Sequence, residues 1–287
     1  MATVEYAYMS LPDYLDKYKA LPSKMSDDKI NSVKKALAPL IGKQFKILSL
    51  PYEILPGFEP SQIGTMIGTL IDACIPQFHK ILEDESWSKI GIERNPGILG
   101  EREGYPDYKH ESGMRLELKL LYVDNVALPM KKPPTPREPS ARLTQKVTFK
   151  NVKPDTDLLF VLAYSLKEDP QAPGMLVPTI VDYELFPVIE CVLARDLRMY
   201  DSGGGWFGNF DTPAILSNAG KRKQQLGQSL DFSGYGRKED EGRDFNEDTN
   251  FGKLKRIPYE PLASFLKKHR AGISCPISHS SQELSTE

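Results

Sequence analysis

The sequence has little cysteine. Its 287 residues include three cysteines, Cys74, Cys191 and Cys275, which lie far apart and form no CxxC pair. This odd and scattered set argues against a disulfide framework and against a zinc site built from the usual paired ligands. Scarce, unpaired cysteine is typical of a reducing compartment, so we expect the protein in the cytoplasm.

Long apolar runs are missing as well. No segment approaches the about 18 apolar residues that a membrane-spanning helix requires. The first residues, MATVEYAYMSLPDYLDKYK, contain acids and no apolar core, so we expect neither a signal peptide nor a membrane partner. Hydrophobic residues make up 40% and charged residues 26% of the chain, a balance that is typical of a globular protein with a buried core.

An overall excess of charge is also missing, because the formal net charge is only −2. The basic residues are nevertheless concentrated between residues 131 and 153, where the net charge is +6 and Glu138 is the one acid. The basic residues there are Lys131, Lys132, Arg137, Arg142, Lys146, Lys150 and Lys153. Such a segment can contact a polyanion, and the alternative is a solvated surface.

The order of apolar and polar residues predicts one α/β domain over residues 1–270 with a mixed central sheet. Alternation predicts a strand in MRLELKLLYV, and a continuous apolar run predicts a central strand, covered on both faces, in DLLFVLAYSL. A strand followed by a helix is expected over 179–200. Other helices are expected within the helical N-terminal part, 1–58, at 60–85 with Ser61 as N-cap, at 140–150 with Ser140 as N-cap, and at 259–270. Residues 271–287 are expected to be a disordered tail.

The strand in MRLELKLLYV carries an acid and an amine on one face. Alternate residues of a strand face opposite sides, so burial of Leu116 and Leu118 places Glu117 and Lys119 in one shared cleft. A charge near a core costs several kcal/mol unless it is paired, so both side chains need partners.

A divalent metal ion would satisfy this arrangement. Asp107 and Glu117 offer the hard oxygen ligands that Mg²⁺ prefers, and they leave room for water and a substrate phosphate. Lys119 can orient a metal-bound water or help to deprotonate it, and it can offset negative charge in the transition state. These residue types therefore favour hydrolysis of a phosphodiester.

Pro106-Asp107, nine further residues and then Glu117-Leu118-Lys119 resemble the signature of the PD-(D/E)xK nucleases, and in particular of the type II restriction endonucleases. The resemblance implies a restriction-endonuclease-like fold, in which helices flank a mixed central β-sheet. It also implies that Asp107, Glu117 and the backbone carbonyl of Leu118 bind Mg²⁺, and that Lys119 is catalytic.

The same resemblance suggests further site residues. Asp72, which ends the stretch IGTLID, is similar to an acid that some of these nucleases bring to the metal from an N-terminal helix. The basic segment after the motif is similar in position to the DNA-contacting part of family members. Its candidate DNA-binding residues are Arg137, Arg142, Gln145 and Lys146, and residues 200–260 are a candidate recognition part.

The motif has a competing match in the sequence, and its residues have an alternative role. Pro12-Asp13 followed by Asp27-Asp28-Lys29 is a second match to the signature, but its pattern is helical and it has no strand. For Glu117 and Lys119 themselves, the alternative is an ion pair on the surface of a sheet.

The leading hypothesis is a Mg²⁺-dependent, sequence-specific endonuclease of a restriction–modification system that cleaves double-stranded DNA. A symmetric DNA sequence is cut on both strands most simply by a homodimer, so we expect a second copy of the chain as a partner. One alternative is a repair or nicking nuclease with the same fold. The other is a non-catalytic nucleic-acid-binding or scaffolding protein whose acid–amine pair is structural.

Overall fold

The computed structural model describes the central part of the chain and several shorter stretches. The described residues are 25–75, 90–95, 105–123, 125, 127–131, 141–143, 147, 152–201, 225–228 and 252–269, with Asp16, Lys19 and Arg222. Several predicted features lie outside these residues, namely Arg137, Gln145 and Lys146, most of the part 200–260, and the tail 271–287.

The described residues form four α-helices and six strands. The α-helices are α1 (Asp27–Leu37), α2 (Pro60–Cys74), α3 (Val188–Asp201) and α4 (Glu260–Lys268). The strands are β1 (Leu50–Pro51), β2 (Ile92–Arg94), β3 (Tyr108–His110), β4 (Arg115–Tyr122), β5 (Asp157–Asp169) and β6 (Ala172–Pro187). Short 3₁₀ helices lie at Ala38–Leu40, Lys46–Leu48, Tyr52–Gly57 and Leu254–Arg256.

The six strands form one mixed sheet in the order β1-β6-β5-β4-β3-β2. The central strands β4 and β5 are parallel, with Glu117 beside Leu159 and Lys119 beside Val161, and the other neighbouring pairs are antiparallel. A parallel pair requires a long crossover, which the residues between Tyr122 and Asp157 provide. The predicted α/β class and mixed sheet are therefore confirmed.

Each face of the sheet carries its own hydrophobic core. Helices α1 and α2 cover one face, where their buried residues meet the leucines of β4, including Leu116 and Leu118. Helices α3 and α4 cover the other face, where they meet Leu121 and Val161. Because both faces are covered, β5 is buried along almost its whole length, as its continuous apolar run predicts.

Two glycines bring α2 close to the sheet. The hydroxyl of Tyr164 on β5 donates to the carbonyl of Gly64 at 2.8 Å, and a Cβ added at Gly68 would lie 3.2 Å from that hydroxyl oxygen. The group that approaches these glycines closely is therefore a tyrosine side chain. This contact fixes the height of α2 above β4 and β5, and hence the position of Asp72 near the end of the helix.

Three predictions are corrected. The part predicted as helical, 1–58, also contains strand β1, which pairs with β6. The N-cap of α2 is Glu59 and not Ser61, because Pro60 occupies the first helical position and the Gln62 side chain accepts the N–H of Glu59. The helix predicted from Ser140 does not begin at 141–143. There the backbone pairs with residues 252–254, through Leu143 N–H to the Gly252 carbonyl and Leu254 N–H to the Ala141 carbonyl.

Within the described residues, none of the helices combines the length and the apolar character needed to cross a membrane.

Candidate active site

Strand β4 presents Glu117 and Lys119 on the face that α3 and α4 cover. Their neighbours in sequence, Leu116 and Leu118, belong to the core on the opposite face. The predicted alternation is confirmed, and it places the Glu117 carboxylate in a nearly closed environment, with 5% of the residue exposed. The Nζ of Lys119 donates to Oε1 of Glu117 at 2.7 Å.

Asp107 reaches this pair from the start of β3. Its Oδ2 accepts the backbone N–H of Leu118 at 2.8 Å and lies 4.0 Å from Nζ of Lys119. Strand β3 pairs with β4 only at Tyr108–Leu116 and Lys109–Arg115. Beyond these pairs, the side chain of Asp107 accepts the backbone N–H that β3 leaves unpaired. The three residues of the predicted motif are therefore brought together.

The carbonyl of Leu118 points toward the same edge of β4 as its N–H. Both groups of a strand residue point to one side, and the N–H of Leu118 points to Asp107 and away from β5. This carbonyl therefore lies on the Asp107 side of the strand, which is consistent with its predicted role as a ligand.

Burial and mutual charge shift the pKa values of these groups. Burial, opposed by Lys119 and reinforced by Asp107, raises the pKa of Glu117 to about 7. Burial also raises the pKa of Asp107, against the opposing effects of Lys119 and the Leu118 N–H. Burial alone would lower the pKa of Lys119, but Glu117 and Asp107 outweigh it and the net shift is upward. Lys119 is therefore a cation at neutral pH.

Asn95 holds the backbone of Asp107 in place. Its N–H donates to the carbonyl of Asp107 at 2.9 Å, and its side-chain Nδ2 donates to the carbonyl of Pro106 at 3.0 Å. Asn95 directly follows β2, so this edge strand extends as far as the motif. Asn95 could not be predicted from the sequence, because its partners lie across a strand pairing that no local pattern reveals.

Asp157 is a buried anchor on the other side of the motif. It is 1% exposed and accepts Tyr105 Oη at 2.7 Å, Arg115 Nε at 2.6 Å and Arg115 Nη2 at 2.6 Å. Tyr105 precedes Pro106-Asp107, and Arg115 begins the strand of Glu117. Asp157 therefore ties both arms of the motif to the start of β5. The sequence offered one signal for this role, because Asp157 is an acid at the first position of a strand that is buried on both faces.

Asp72 lies at the rim of the site, near the end of α2. Its carboxylate accepts the hydroxyl of Tyr108 at 2.5 Å and lies 3.7 Å from Nη2 of Arg94. Burial has the largest effect on both neighbours, since it raises the pKa of Asp107 and lowers that of Lys119. The charge of Asp72 adds a smaller upward effect on each pKa, so it lies within electrostatic range of both. Its predicted role as a metal ligand remains a prediction.

The donors at this site fit a Mg²⁺ ion that keeps several water ligands. Across the described stretches, no group of three or more His, Cys, Asp and Glu side chains is arranged to hold a metal ion. Two carboxylates and one backbone carbonyl are nevertheless the oxygen ligands that Mg²⁺ takes from proteins. Oε2 of Glu117 is buried and has no hydrogen-bond partner among the described residues. A cation beside it would remove that deficit.

Arg142 is the one candidate DNA-binding residue that the structure describes. It lies opposite Lys253 in the short pairing between 141–143 and 252–254. Leu143 and Leu254 are buried in the core beneath α3 and α4, so Arg142 and Lys253 face the opposite, outer side of this pairing. Two basic segments that are distant in sequence are thereby joined on the side of the sheet that carries Glu117.

Comparison with protein family models, with curated proteins and with solved structures found no match to this chain. Its function is therefore inferred from the geometry of Asp107, Glu117 and Lys119.

Proposed function

We propose that this protein is a Mg²⁺-dependent endonuclease that hydrolyses phosphodiester bonds of double-stranded DNA. The observation that carries the proposal is the convergence of Asp107, Glu117 and Lys119 at the open edge of β4. Lys119 Nζ lies 2.7 Å from Glu117 and 4.0 Å from Asp107, while Oε2 of the buried Glu117 has no partner in the described structure. The arrangement of strands and helices is compatible with a restriction-endonuclease-like fold.

Each side chain has a distinct task in this proposal. Asp107, Glu117 and the Leu118 carbonyl hold the metal ion, and bound Mg²⁺ supplies Lewis-acid stabilisation of the charge that develops on the phosphate. Lys119 remains protonated, so it acts as a hydrogen-bond donor and a fixed positive charge beside the scissile phosphate.

A polyanionic substrate agrees with the charges around the site. Arg142 and Lys253 lie side by side on the outer face of their pairing, and Lys255 is exposed two residues further on. This pairing packs on the same core as Leu121, which shares its face of β4 with Glu117 and Lys119. A DNA backbone that contacts these cations would approach the side of the sheet that bears the candidate centre.

A structural ion pair is the competing explanation, and the 2.7 Å contact between Lys119 and Glu117 favours it. Two features favour a functional centre. An ion pair needs one acid for one amine, whereas here Asp107 is a second acid within 4.0 Å of Lys119. In addition, Oε2 of Glu117 is buried without a hydrogen-bond partner in the described structure, which costs free energy and is not needed for a purely structural pair.

Cleavage of supercoiled plasmid tests the proposal. We expect conversion to linear fragments with Mg²⁺ or Mn²⁺, and no conversion in EDTA. If the enzyme is a restriction endonuclease, the fragments are discrete and light scattering gives a homodimer, since two symmetric sites cut a symmetric sequence. A monomer that leaves only single-strand nicks would point instead to the repair or nicking nuclease. A plasmid that stays supercoiled with both metals would refute nuclease activity.

A further inference from the structure

Arg94 is an arginine beside the candidate centre that no pattern in the sequence singles out. It lies opposite Tyr108 in the β2–β3 pairing, so the two side chains share a face, and its guanidinium Cζ lies 5.5 Å from the centroid of the tyrosine ring. Its side chain is 55% exposed. A cation that is stacked on an aromatic ring and still open to solvent is held ready for a ligand.

One nitrogen of the guanidinium makes the contacts that hold it. Nη2 donates to the hydroxyl of Tyr108 at 3.3 Å and to the carbonyl of Asp72 at 3.3 Å, and it lies 3.7 Å from Oδ1 of Asp72. Within the residues that the structure describes, Nε and Nη1 have no partner. The N–H groups of Nε and Nη1 can therefore still donate to the oxygens of a phosphate.

The position of Arg94 relates it to the reacting centre. The next residue, Asn95, donates to the carbonyl of Asp107 at 2.9 Å, so one short stretch of backbone holds both the arginine and the acid. The positive charge of Arg94 also lowers the pKa of Asp107, against a larger upward effect of burial, which places the guanidinium within electrostatic range of that carboxylate.

We propose that Arg94 binds a backbone phosphate of the DNA strand next to the scissile bond and thereby positions that bond at Asp107, Glu117 and Lys119. This rests on the proposed nuclease function and adds a residue of the substrate site. Tyr108 and Asp72 orient the guanidinium through Nη2, and the N–H groups of Nε and Nη1 are the donors to the phosphate. Arg94 is thus a positioning residue for the reaction.

A purely structural role predicts a different result. Through the Asp72 carbonyl, Arg94 also ties β2 to the end of α2, so its loss can lower stability without touching DNA. The salt dependence of DNA binding separates the two roles. Each phosphate contact contributes about 0.9 to the slope of log Kd against log salt concentration, and loss of a tie inside the protein leaves that slope unchanged.

The test compares Arg94→Gln, Arg94→Lys and the control Lys167→Gln. Lys167 is an exposed cation near the far end of β5, remote from the motif. Binding of a fluorescent duplex in EDTA is followed by anisotropy over a range of KCl concentrations. We expect Arg94→Gln to weaken binding about tenfold and to lower the slope by about one. Arg94→Lys should keep the slope and lose part of the affinity, and the control should match the wild type.

Substituted duplexes identify the phosphate itself. Once the cleaved bond is mapped, single phosphates around it are replaced one at a time by neutral methylphosphonates. At one position the substitution should weaken binding by the wild type and have no further effect on Arg94→Gln. Melting temperatures confirm that the variants are folded. If Arg94→Gln does not fold, Arg94→Lys takes its place, and its partial loss of affinity should vanish at the same phosphate.

The outcomes separate this proposal from the one on which it rests. A wild type that binds and cleaves DNA, with an Arg94→Gln variant of unchanged affinity and slope, overturns the role of Arg94 alone. A wild type that neither binds nor cleaves any duplex with any divalent cation overturns both. Coupling between Arg94 and a phosphate remote from the cleaved bond also overturns the role of Arg94 at the reacting centre.

Discussion

Oδ2 of Asp107 accepts the backbone N–H of Leu118 at 2.8 Å, across 11 positions of sequence. One carboxylate thereby serves the fold and the candidate chemistry, because it completes the edge of β4 and stands beside Lys119. The two functions can be separated by substitution, since an amide keeps an oxygen acceptor and loses the negative charge.

Asp107→Asn and Asp107→Ala should therefore differ in stability and agree in activity. Both should cleave DNA at least about 10²-fold more slowly than the wild type, because the charge that holds the metal is lost. Asp107→Ala should also lower the free energy of unfolding by about 1 kcal/mol relative to Asp107→Asn, since the Leu118 N–H loses its acceptor. Single-turnover cleavage and urea unfolding measure the two quantities. Equal stability of the two variants would show that this hydrogen bond does not contribute to the free energy of unfolding.

Glu117 should make stability and metal affinity depend on pH. Its folded-state pKa of about 7 lies above its ordinary value, so its contribution to stability is present at low pH and is lost as pH rises through about 7. In EDTA, the melting temperature of the wild type relative to Glu117→Gln should therefore fall between about pH 5 and about pH 8. Mg²⁺ should reverse this fall at high pH, where the carboxylate is ionised and binds the cation.

The control for this experiment is Glu168→Gln, which removes an exposed acid of β5 far from the motif. Its difference from the wild type should not change with pH in this range. A wild type and a Glu117→Gln variant whose melting temperatures run parallel from about pH 5 to about pH 8 would contradict the raised pKa.

Asp157→Asn should be strongly destabilising. The substitution leaves Arg115, which bonds both carboxylate oxygens of Asp157, with a neutral partner in a buried environment. Loss of one member of a buried ion pair typically costs about 3–5 kcal/mol. Urea unfolding measures the change, and Tyr105→Phe, which removes only the hydrogen bond to Asp157, should cost about 1 kcal/mol. If Asp157→Asn costs no more than Tyr105→Phe, Asp157 is not the anchor of the motif.

Asp72→Asn tests whether this residue serves the metal. If Asp72 is a metal ligand, Asp72→Asn should need a higher Mg²⁺ concentration than the wild type for half-maximal cleavage. The salt slope of its DNA binding in EDTA should be unchanged. An unchanged Mg²⁺ requirement together with a lower salt slope would show that Asp72 acts by orienting Arg94. The two titrations on one variant distinguish these roles.

Local patterns were sufficient for much of the sheet and for the core of the site. The alternation around Glu117 and the apolar run that begins at Asp157 are properties of consecutive residues, and burial of the leucines then decides which side each charge faces. For the same reason, the strand-to-helix change at Pro187 was visible in the sequence.

The remaining features depend on contacts between distant segments. Arg94 and Asn95 acquire their roles only because β2 pairs with β3, and Arg142 leaves the predicted helix because 252–254 offers it a strand partner. His110 likewise ends β3, opposite Ile92 of β2, and is buried. Helical periodicity and N-cap residues carry no information about such partners.

Cleavage of plasmid DNA by purified site variants tests the central claim most directly. Glu117→Gln and Lys119→Met would be compared with their exposed counterparts, Glu168→Gln and Lys167→Gln, under single-turnover conditions with Mg²⁺. We expect the two site variants to stay folded, to bind the duplex and to cleave at least about 10²-fold more slowly, and the two control variants to cleave like the wild type. Near-normal cleavage by folded Glu117→Gln or Lys119→Met would contradict the assignment of the active site.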